Sequence, residues 1–137
     1  MEVLASDVER IPAANLNVSL DQFVAVWQEA EKLDASGDGD WYVTGVVETC
    51  RWLGHAVVDG PDGRRELAYA PVTNTNRMAI EELIEAECVR ADVLAMRRPI
   101  PSWLQKRPRW IDGVCTTLNW AWRRRGPAPI EGASASG

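Results

Sequence analysis

The most regular pattern of apolar and polar positions along the chain is an eight-residue phrase that occurs twice. It has the form Gly-Val-x-x-Thr-x-x-Trp and occupies residues 45–52 and 113–120, so the copies start 68 residues apart in a chain of 137. On a helix of about 3.6 residues per turn, the glycine, threonine and tryptophan of each copy share one stripe, and the valine begins the adjacent stripe. Both copies are therefore predicted to be amphipathic helices with one wide apolar face.

The glycine inside each predicted helix requires a compensating contact. Glycine costs about 1 kcal/mol relative to alanine in a helix interior. We therefore expect Gly45 and Gly113 to be notches where another helix or a large ring approaches the bare backbone, with the longer helices as partners. Three origins of the repeat remain open: an ancient duplication, recurrent packing without common ancestry, or chance in a chain rich in Ala, Val and Trp.

Helical spacing, capping residues and terminating glycines and prolines predict four main helices. They cover residues 19 to about 34, 40 to about 58, Thr75 or Asn76 to about 98, and 109–125. Ser19 and Asp40 are the expected N-caps of the first two, because their side-chain oxygens can accept hydrogen bonds from free backbone N–H groups. Residues 102–107 are expected to form a short helical turn. The predicted fold class is all-α: a small helical bundle of four main helices plus this turn, with a pseudo-twofold repeat as one interpretation.

The remaining segments define the expected domain organisation. Residues 1–18 show no sustained period and are expected to form a partly ordered N-terminal arm before a single helical domain at 19–126. Residues 59–63 carry dense turn signals. Residues 64–72 are expected to be an ordered connector, with a short extended pair as one alternative. The Ala-, Ser- and Gly-rich segment 127–137 is expected to be a disordered tail.

Charge is distributed unevenly along the chain. The net charge is −5, but residues 1–96 hold 7 basic and 18 acidic side chains, whereas residues 97–137 hold 8 basic and 2 acidic ones. The basic third also contains four of the seven tryptophans. Arg and Trp are enriched among the residues that dominate binding energy in protein interfaces, and they also suit phosphate contact and base stacking. The C-terminal third is therefore the candidate binding region.

Other features of the sequence narrow the class of protein. The first ten residues carry acidic side chains and no long apolar core, so no signal peptide is predicted, and no stretch has the length and apolar character of a transmembrane helix. The three cysteines are widely spaced and form no CxxC pair, which is typical of reduced thiols in a cytoplasmic protein. The preference for arginine over lysine is typical of a GC-rich bacterial genome. We expect a cytoplasmic location.

Candidate catalytic and metal-binding groups are few in the sequence. His55 is expected on the exposed, polar side of its helix, and Glu81 and Glu85 are expected to form a solvated face, because their helix lacks the histidine that di-metal helical sites use. Glu87 lies in line with the apolar side of the same helix, so we expect a buried carboxylate paired with an arginine from the basic third. Known phosphate-binding and nucleophile motifs do not occur. We expect no catalytic residue, cofactor or metal.

The predicted function is a non-catalytic protein-interaction module, of adaptor, regulator, antitoxin or immunity type. Its partner-binding residues are expected to be cations and tryptophans of the basic third: Arg97, Arg98, Trp103, Lys106, Arg107, Arg109, Trp122, Arg123 and Arg124. The Arg- and Trp-rich end would bind an acidic partner, and the acidic helices would bind a basic one. Opposite charge on two parts of the chain also favours head-to-tail or twofold self-association, so a homodimer is one alternative.

Two other functions remain open from the sequence. Nucleic-acid binding through the same basic region is opposed by the overall acidity, because non-specific affinity comes from phosphate neutralisation. A small-ligand pocket with tryptophan walls, or an enzyme, is the third hypothesis. A membrane partner is not expected.

Overall fold

The computed structural model describes residues 1–131, which are mostly helical, so the predicted helical class is confirmed. These residues form six α-helices: α1 (Ala5–Glu9), α2 (Leu20–Ser36), α3 (Trp41–Leu53), α4 (Glu81–Met96), α5 (Ser102–Gln105) and α6 (Trp110–Ala121). A 3-10 turn covers Ala13–Asn15, and strands β1 (Val57–Asp59) and β2 (Arg65–Leu67) pair antiparallel, with Val57 opposite Leu67. Helix α3 packs against α2 and α6, and α6 packs against α4. Within residues 1–131, no helix combines the length and apolar character needed to span a membrane.

Helices α3 and α6 cross at the two phrase glycines. A Cβ atom at Gly45 would overlap the carbonyl oxygen of Trp110, and one at Gly113 would overlap the carbonyl oxygen of Tyr42. Trp110 and Tyr42 each stand three residues before the glycine of their own copy, so the contact is reciprocal. The predicted notches are confirmed, but the expected partner is wrong. Helices α2 and α4 contain no glycine, so only the two phrase helices can approach each other with bare backbone on both sides.

The threonine and tryptophan of the phrase complete this packing. Thr49 and Thr117 are buried, and each hydroxyl donates a 2.7 Å hydrogen bond to the carbonyl of the glycine four residues earlier. Trp52 donates from Nε1 to a backbone carbonyl in the segment before α4, at 3.0 Å. Trp120 stacks on Phe23 of α2 with ring centroids 6.5 Å apart. Each phrase helix therefore contacts an element from the other half of the chain.

The predicted caps of the first two main helices are confirmed. The Ser19 side chain accepts a hydrogen bond from the backbone N–H of Gln22, and the Asp40 side chain accepts one from Val43, both at 3.1 Å. Helix α2 ends at Ser36, and the following Gly37, with a φ of +79°, closes it in the left-handed conformation that glycine adopts without strain. Helix α5 confirms the short turn expected within 102–107.

The second main helix ends at Leu53, not near Val58 as predicted. Gly54 closes the helix, and His55, with a φ of +54°, turns the chain into the β1–β2 hairpin. Of the extended pair considered for residues 64–72, one strand, β2, lies in that range, and its partner β1 lies outside it. The predicted end of the last helix is also too late, because α6 stops at Ala121, four residues before the expected boundary at Arg125.

The third main helix begins at Glu81, five or six residues later than the predicted start at Asn76 or Thr75. In a helix from residue 75, the carbonyls of Arg77 and Ala79 would accept bonds from N–H groups four residues later. Instead, the Trp52 indole donates to the Arg77 carbonyl and the Asn15 side chain donates to the Ala79 carbonyl, each at 3.0 Å. Long-range side-chain donors thus hold this segment in an extended form.

Both ends of the described chain contact the helices. Residues 1–18 contain α1 and the 3-10 turn, and the buried Asn15 side chain also donates to the Leu53 carbonyl at 3.0 Å. At the other end, Ile130 is buried, and the Tyr42 hydroxyl donates to the Pro129 carbonyl at 2.8 Å. Residues 127–131 of the expected tail thus contact α3, while residues 132–137 lie outside the described residues.

Gly45→Ala and Gly113→Ala are each expected to lower the free energy of unfolding by about 2 kcal/mol, because the added methyl group forces the α3–α6 crossing apart. In an ordinary helix interior the same change raises stability by up to about 1 kcal/mol. Denaturant unfolding followed by circular dichroism gives the value. Ala35→Gly, at an exposed position of α2, is the control and should lose at most about 1 kcal/mol. Unchanged or increased stability of the alanine variants would contradict the crossing.

Candidate interaction surface

The α3–α6 crossing brings the starts of both helices together and creates an aromatic surface around one cation. The Arg107 guanidinium lies over three tryptophan rings, 5.3 Å from the ring centroid of Trp41 and 5.8 Å from those of Trp103 and Trp110. These distances fall within the range of about 6 Å in which a cation is attracted to an aromatic face. We call Trp41, Trp103, Arg107 and Trp110 the tryptophan–arginine patch.

Two rings of the patch face solvent and one forms its base. Trp41 and Trp103 are 39% and 44% exposed, whereas Trp110 is buried. Trp103 meets Trp110 edge to face, with centroids 6.0 Å apart. On α5, Leu104 is buried and anchors the short helix that carries Trp103. The exposed rings are therefore held by contacts on their inner sides while their outer faces remain accessible.

Arg109 extends the cationic surface beside the patch. Its left-handed backbone, with a φ of +68°, precedes the first residue of α6, and its guanidinium lies 4.6 Å from the ring centroid of Tyr42. The same group lies 3.5 Å from the carboxylate of Asp40. Both side chains of this ion pair are more than half exposed, so water screens it and the contact orients Arg109 more than it stabilises the fold.

Glu48 supports the patch from below. The Trp110 indole N–H donates to a Glu48 carboxylate oxygen at 3.3 Å. Burial raises the pKa of the Glu48 carboxyl, while the Trp110 hydrogen bond and the charges of Arg107 and Arg51 act in the opposite direction. The Glu48 carboxylate, which holds the buried Trp110 ring, has lost hydration on folding. The hydrogen bond and the nearby arginines offset only part of that loss.

A groove of about 400 Å³ adjoins the patch between the end of α4, α5 and the start of α6. Its apolar floor and sides include Leu94, Ala95, Ile100, Leu104 and Ile111. Its charged rim consists of Arg98, Arg107, Arg109 and Asp112. From Arg97 to Ile111 the chain holds five basic and no acidic residues, and all five basic side chains are exposed. The groove and patch together present apolar surface surrounded by positive charge.

The nine residues predicted to bind a partner fall into two groups at opposite ends of α6. Six lie around α5 and the groove: Arg97, Arg98, Trp103, Lys106, Arg107 and Arg109. The other three, Trp122, Arg123 and Arg124, follow the last residue of α6. A helix of this length spans about 18 Å, so the structure does not bring the two groups together.

Two of the three residues in the second group make contacts within the chain, while Arg124 is exposed. The Trp122 indole donates to Glu85 at 2.9 Å, and Arg123 donates to Asp92 at 2.8 Å. The hydrogen bond with Asp92 is the main cause that raises the pKa of Arg123. Trp122 is half-buried. These side chains tie α6 to α4, so the first group is the better candidate for contact with another molecule.

Glu87 is buried as predicted, but its predicted arginine partner is wrong. The carboxylate accepts hydrogen bonds from the backbone N–H groups of Val72 and Thr73, at 2.6 and 3.1 Å, and from the Thr73 hydroxyl at 2.8 Å. The loop before α4 therefore supplies neutral donors where an arginine was expected. Glu87 joins that loop to the helix.

The other candidate reactive groups are His55 and the three cysteines, and their surroundings are typical of structural residues. His55 was expected to be exposed on a helix, but it lies beyond α3, is half-buried, and has Nε2 2.7 Å from the carbonyl oxygen of Ala79. Burial raises the pKa of the Cys50 thiol well above its ordinary value, that of Cys88 to about 11, and that of Cys115 to about 12. These thiols are protonated at neutral pH, which makes them weak nucleophiles. Within the part of the chain that the structure describes, no group of three His, Cys, Asp or Glu residues could hold a metal ion.

Sequence reasoning missed the contribution of α3 to this surface. Trp41 supplies one exposed wall of the patch and Glu48 holds its buried base, although both lie in the acidic part of the chain. One signal was present: Trp41 stands four residues before Gly45, the same offset as Arg109 before Gly113.

Comparisons with protein-family models, curated proteins and solved structures found no significant match to this chain.

Glu48→Gln is expected to raise stability at neutral pH, because the amide keeps an acceptor for the Trp110 indole but carries no charge to desolvate. A carboxyl whose pKa is raised on folding favours the folded state when protonated, so the wild type loses stability as pH rises from the ordinary value of 4.5 through the raised pKa. The Glu48→Gln variant should not lose stability in this way as pH rises.

Urea unfolding at a series of pH values from acidic to neutral measures both effects. Glu9→Gln, at an exposed position, controls for the removal of one negative charge. Desolvation would not have this role if Glu48→Gln were less stable than wild type at neutral pH and its free energy of unfolding changed with pH in the same way as that of wild type.

Proposed function

We propose that this protein is a non-catalytic interaction module that binds an acidic segment of a partner protein across the tryptophan–arginine patch and the adjoining groove. The observation that carries the proposal is the arrangement of Arg107 between the exposed rings of Trp41 and Trp103. Tryptophan and arginine are the residue types that most often dominate interface energetics.

The rigidity of the patch supports this function. Arg107 lies against both exposed rings, and Trp103 is also packed on the buried Trp110. Side chains that are already held in one arrangement lose less conformational entropy when a partner binds. A partner can therefore gain the burial of two indole faces at a small ordering cost.

The charge around the groove favours an acidic occupant. Carboxylates of a bound segment would meet Arg98, Arg107 and Arg109 on the rim, and its apolar side chains would lie on the floor formed by residues such as Leu94 and Leu104. Arginine binds carboxylates through two parallel hydrogen bonds, which adds orientation to attraction. The expected ligand is a peptide segment in which Asp or Glu residues flank aromatic or aliphatic ones.

Nucleic-acid binding is the alternative that the same cations allow. The separation of the predicted basic residues into two groups, and the contacts of Trp122 and Arg123 within the chain, leave a shorter basic surface than the sequence indicated. The net charge of −5 also opposes it. A cytoplasmic location, the absence of catalysis and a duplicated, pseudo-twofold origin of the bundle remain parts of this proposal.

Selection from a random displayed-peptide library is expected to yield sequences enriched in Asp and Glu with aromatic or aliphatic neighbours. Labelled synthetic copies then allow affinity to be measured by fluorescence anisotropy. Trp103→Ala and Arg107→Glu are each expected to weaken binding at least about tenfold, because they remove an exposed hot-spot side chain or reverse a rim charge. Circular dichroism of each variant checks that the fold is kept.

Arg124→Glu provides the matched control, because it reverses an exposed cation at the opposite end of α6. Its affinity should stay within about twofold of wild type. Peptides without an acidic preference, or equal losses for Arg107→Glu and Arg124→Glu, would count against the proposed surface. Binding of single-stranded DNA or RNA oligonucleotides at low salt, lost in Arg107→Glu and steeply weakened by salt, would favour the alternative.

A further inference from the structure

The outward face of α4 carries an apolar stripe that no other part of residues 1–131 covers. Val89, Val93 and Met96, spaced for one face of a helix, are 55%, 61% and 79% exposed, the highest values among the large apolar side chains of these residues. The opposite face is buried through Ile84, Cys88, Ala91 and Leu94. Burial of α4 on one side therefore leaves a second apolar side in contact with water, which is typical of an interaction surface.

Charges of opposite sign lie at the two ends of this stripe. Glu82 precedes Val89 by seven residues and so lies on the same line of the helix, and the exposed Glu85 is beside it. Arg97 follows Met96 at the other end. Because α4 has 16 residues, these ends are separated by about 24 Å.

We propose that the chain forms a twofold homodimer in which the apolar stripes of two α4 helices pack antiparallel. Val89 and Val93 then lie near the twofold axis, and the exposed Ala86 of one copy leaves room for Val93 of the other. In the same register Glu82 of each copy lies opposite Arg97 of the other. One surface thus supplies both partners of two charge pairs, as an isologous contact requires.

Charge selects this arrangement over the parallel one. Parallel packing of the same stripes would place Glu82 against Glu82 and Arg97 against Arg97, and like charges across an interface are unfavourable. The contact uses none of the four residues of the tryptophan–arginine patch. Self-association therefore stands on observations separate from those that support peptide binding.

Sedimentation velocity or light scattering of the full chain, over a wide concentration range, measures the dimer directly. The wild type is expected to reach twice the monomer mass as concentration rises. Val93→Asp should raise the dimer dissociation constant at least about tenfold, because it places a carboxylate in the apolar contact. Leu20→Asp, an exposed apolar residue in the first turn of α2, is the control and should leave the dissociation constant within about twofold of wild type.

A charge swap tests the antiparallel register. Glu82→Arg and Arg97→Glu should each weaken the dimer about threefold or more at low salt, because each variant places like charges together. An equimolar mixture of these two variants, and the Glu82→Arg/Arg97→Glu double variant, should both recover wild-type association. Circular dichroism confirms that every variant is folded.

Three results would each overturn the dimer. They are a monomer at every accessible concentration, a dimer whose dissociation constant Val93→Asp leaves unchanged, and charge variants whose association neither mixing nor the double substitution restores. Peptide binding can succeed or fail independently of these results, because its test measures affinity at Trp103 and Arg107.

Discussion

The backbone contact between α3 and α6 is the constraint on which the rest of the structure depends. Two helices approach this closely only where both lack a side chain, and the glycines supply that gap at one point. Each glycine stands three residues after an aromatic residue, Tyr42 or Trp110, so the crossing lies near the start of both helices. It therefore brings the start of α3 next to the start of α6. The aromatic patch follows from that geometry, because its rings come from segments more than 60 residues apart.

Local signals in the sequence predicted the parts of the fold that depend on one or two helical turns. Ser19 and Asp40 act on N–H groups three residues away, so their roles were evident without the tertiary structure. Asn15 and Glu87 could not be assigned in this way. Asn15 donates to carbonyls in two distant segments, and Glu87 accepts from a loop 14 and 15 residues earlier. Such partners depend on where loops lie after folding, which periodicity does not encode.

The candidate surface was predicted in part, and the error has a physical cause. Reasoning from composition treated all cations of the basic third as equivalent, but a cation is available to a partner only if its own chain leaves it uncompensated. Arg123 meets Asp92, in the second half of α4, because α4 packs against α6 and the end of α6 lies beside it. Arg107 instead lies over tryptophan rings, which attract its charge without neutralising it. The difference depends on which helix end each arginine occupies.

The same distribution of charge connects the two proposed surfaces. Helix α4 has acidic residues along it and arginines after its end, so its contacts with α6 pair the charge of Arg123 and give no partner to the cations near α5. Arg97 lies where the apolar stripe of α4 meets the basic groove region. In an antiparallel dimer Arg97 would be paired with Glu82, while Arg98, Arg107 and Arg109 would still surround the groove. Self-association would therefore pair Arg97 and leave the groove surrounded by positive charge. The glycine crossing determines where that region forms, and the polarity of α4 determines how much of its charge remains for a partner.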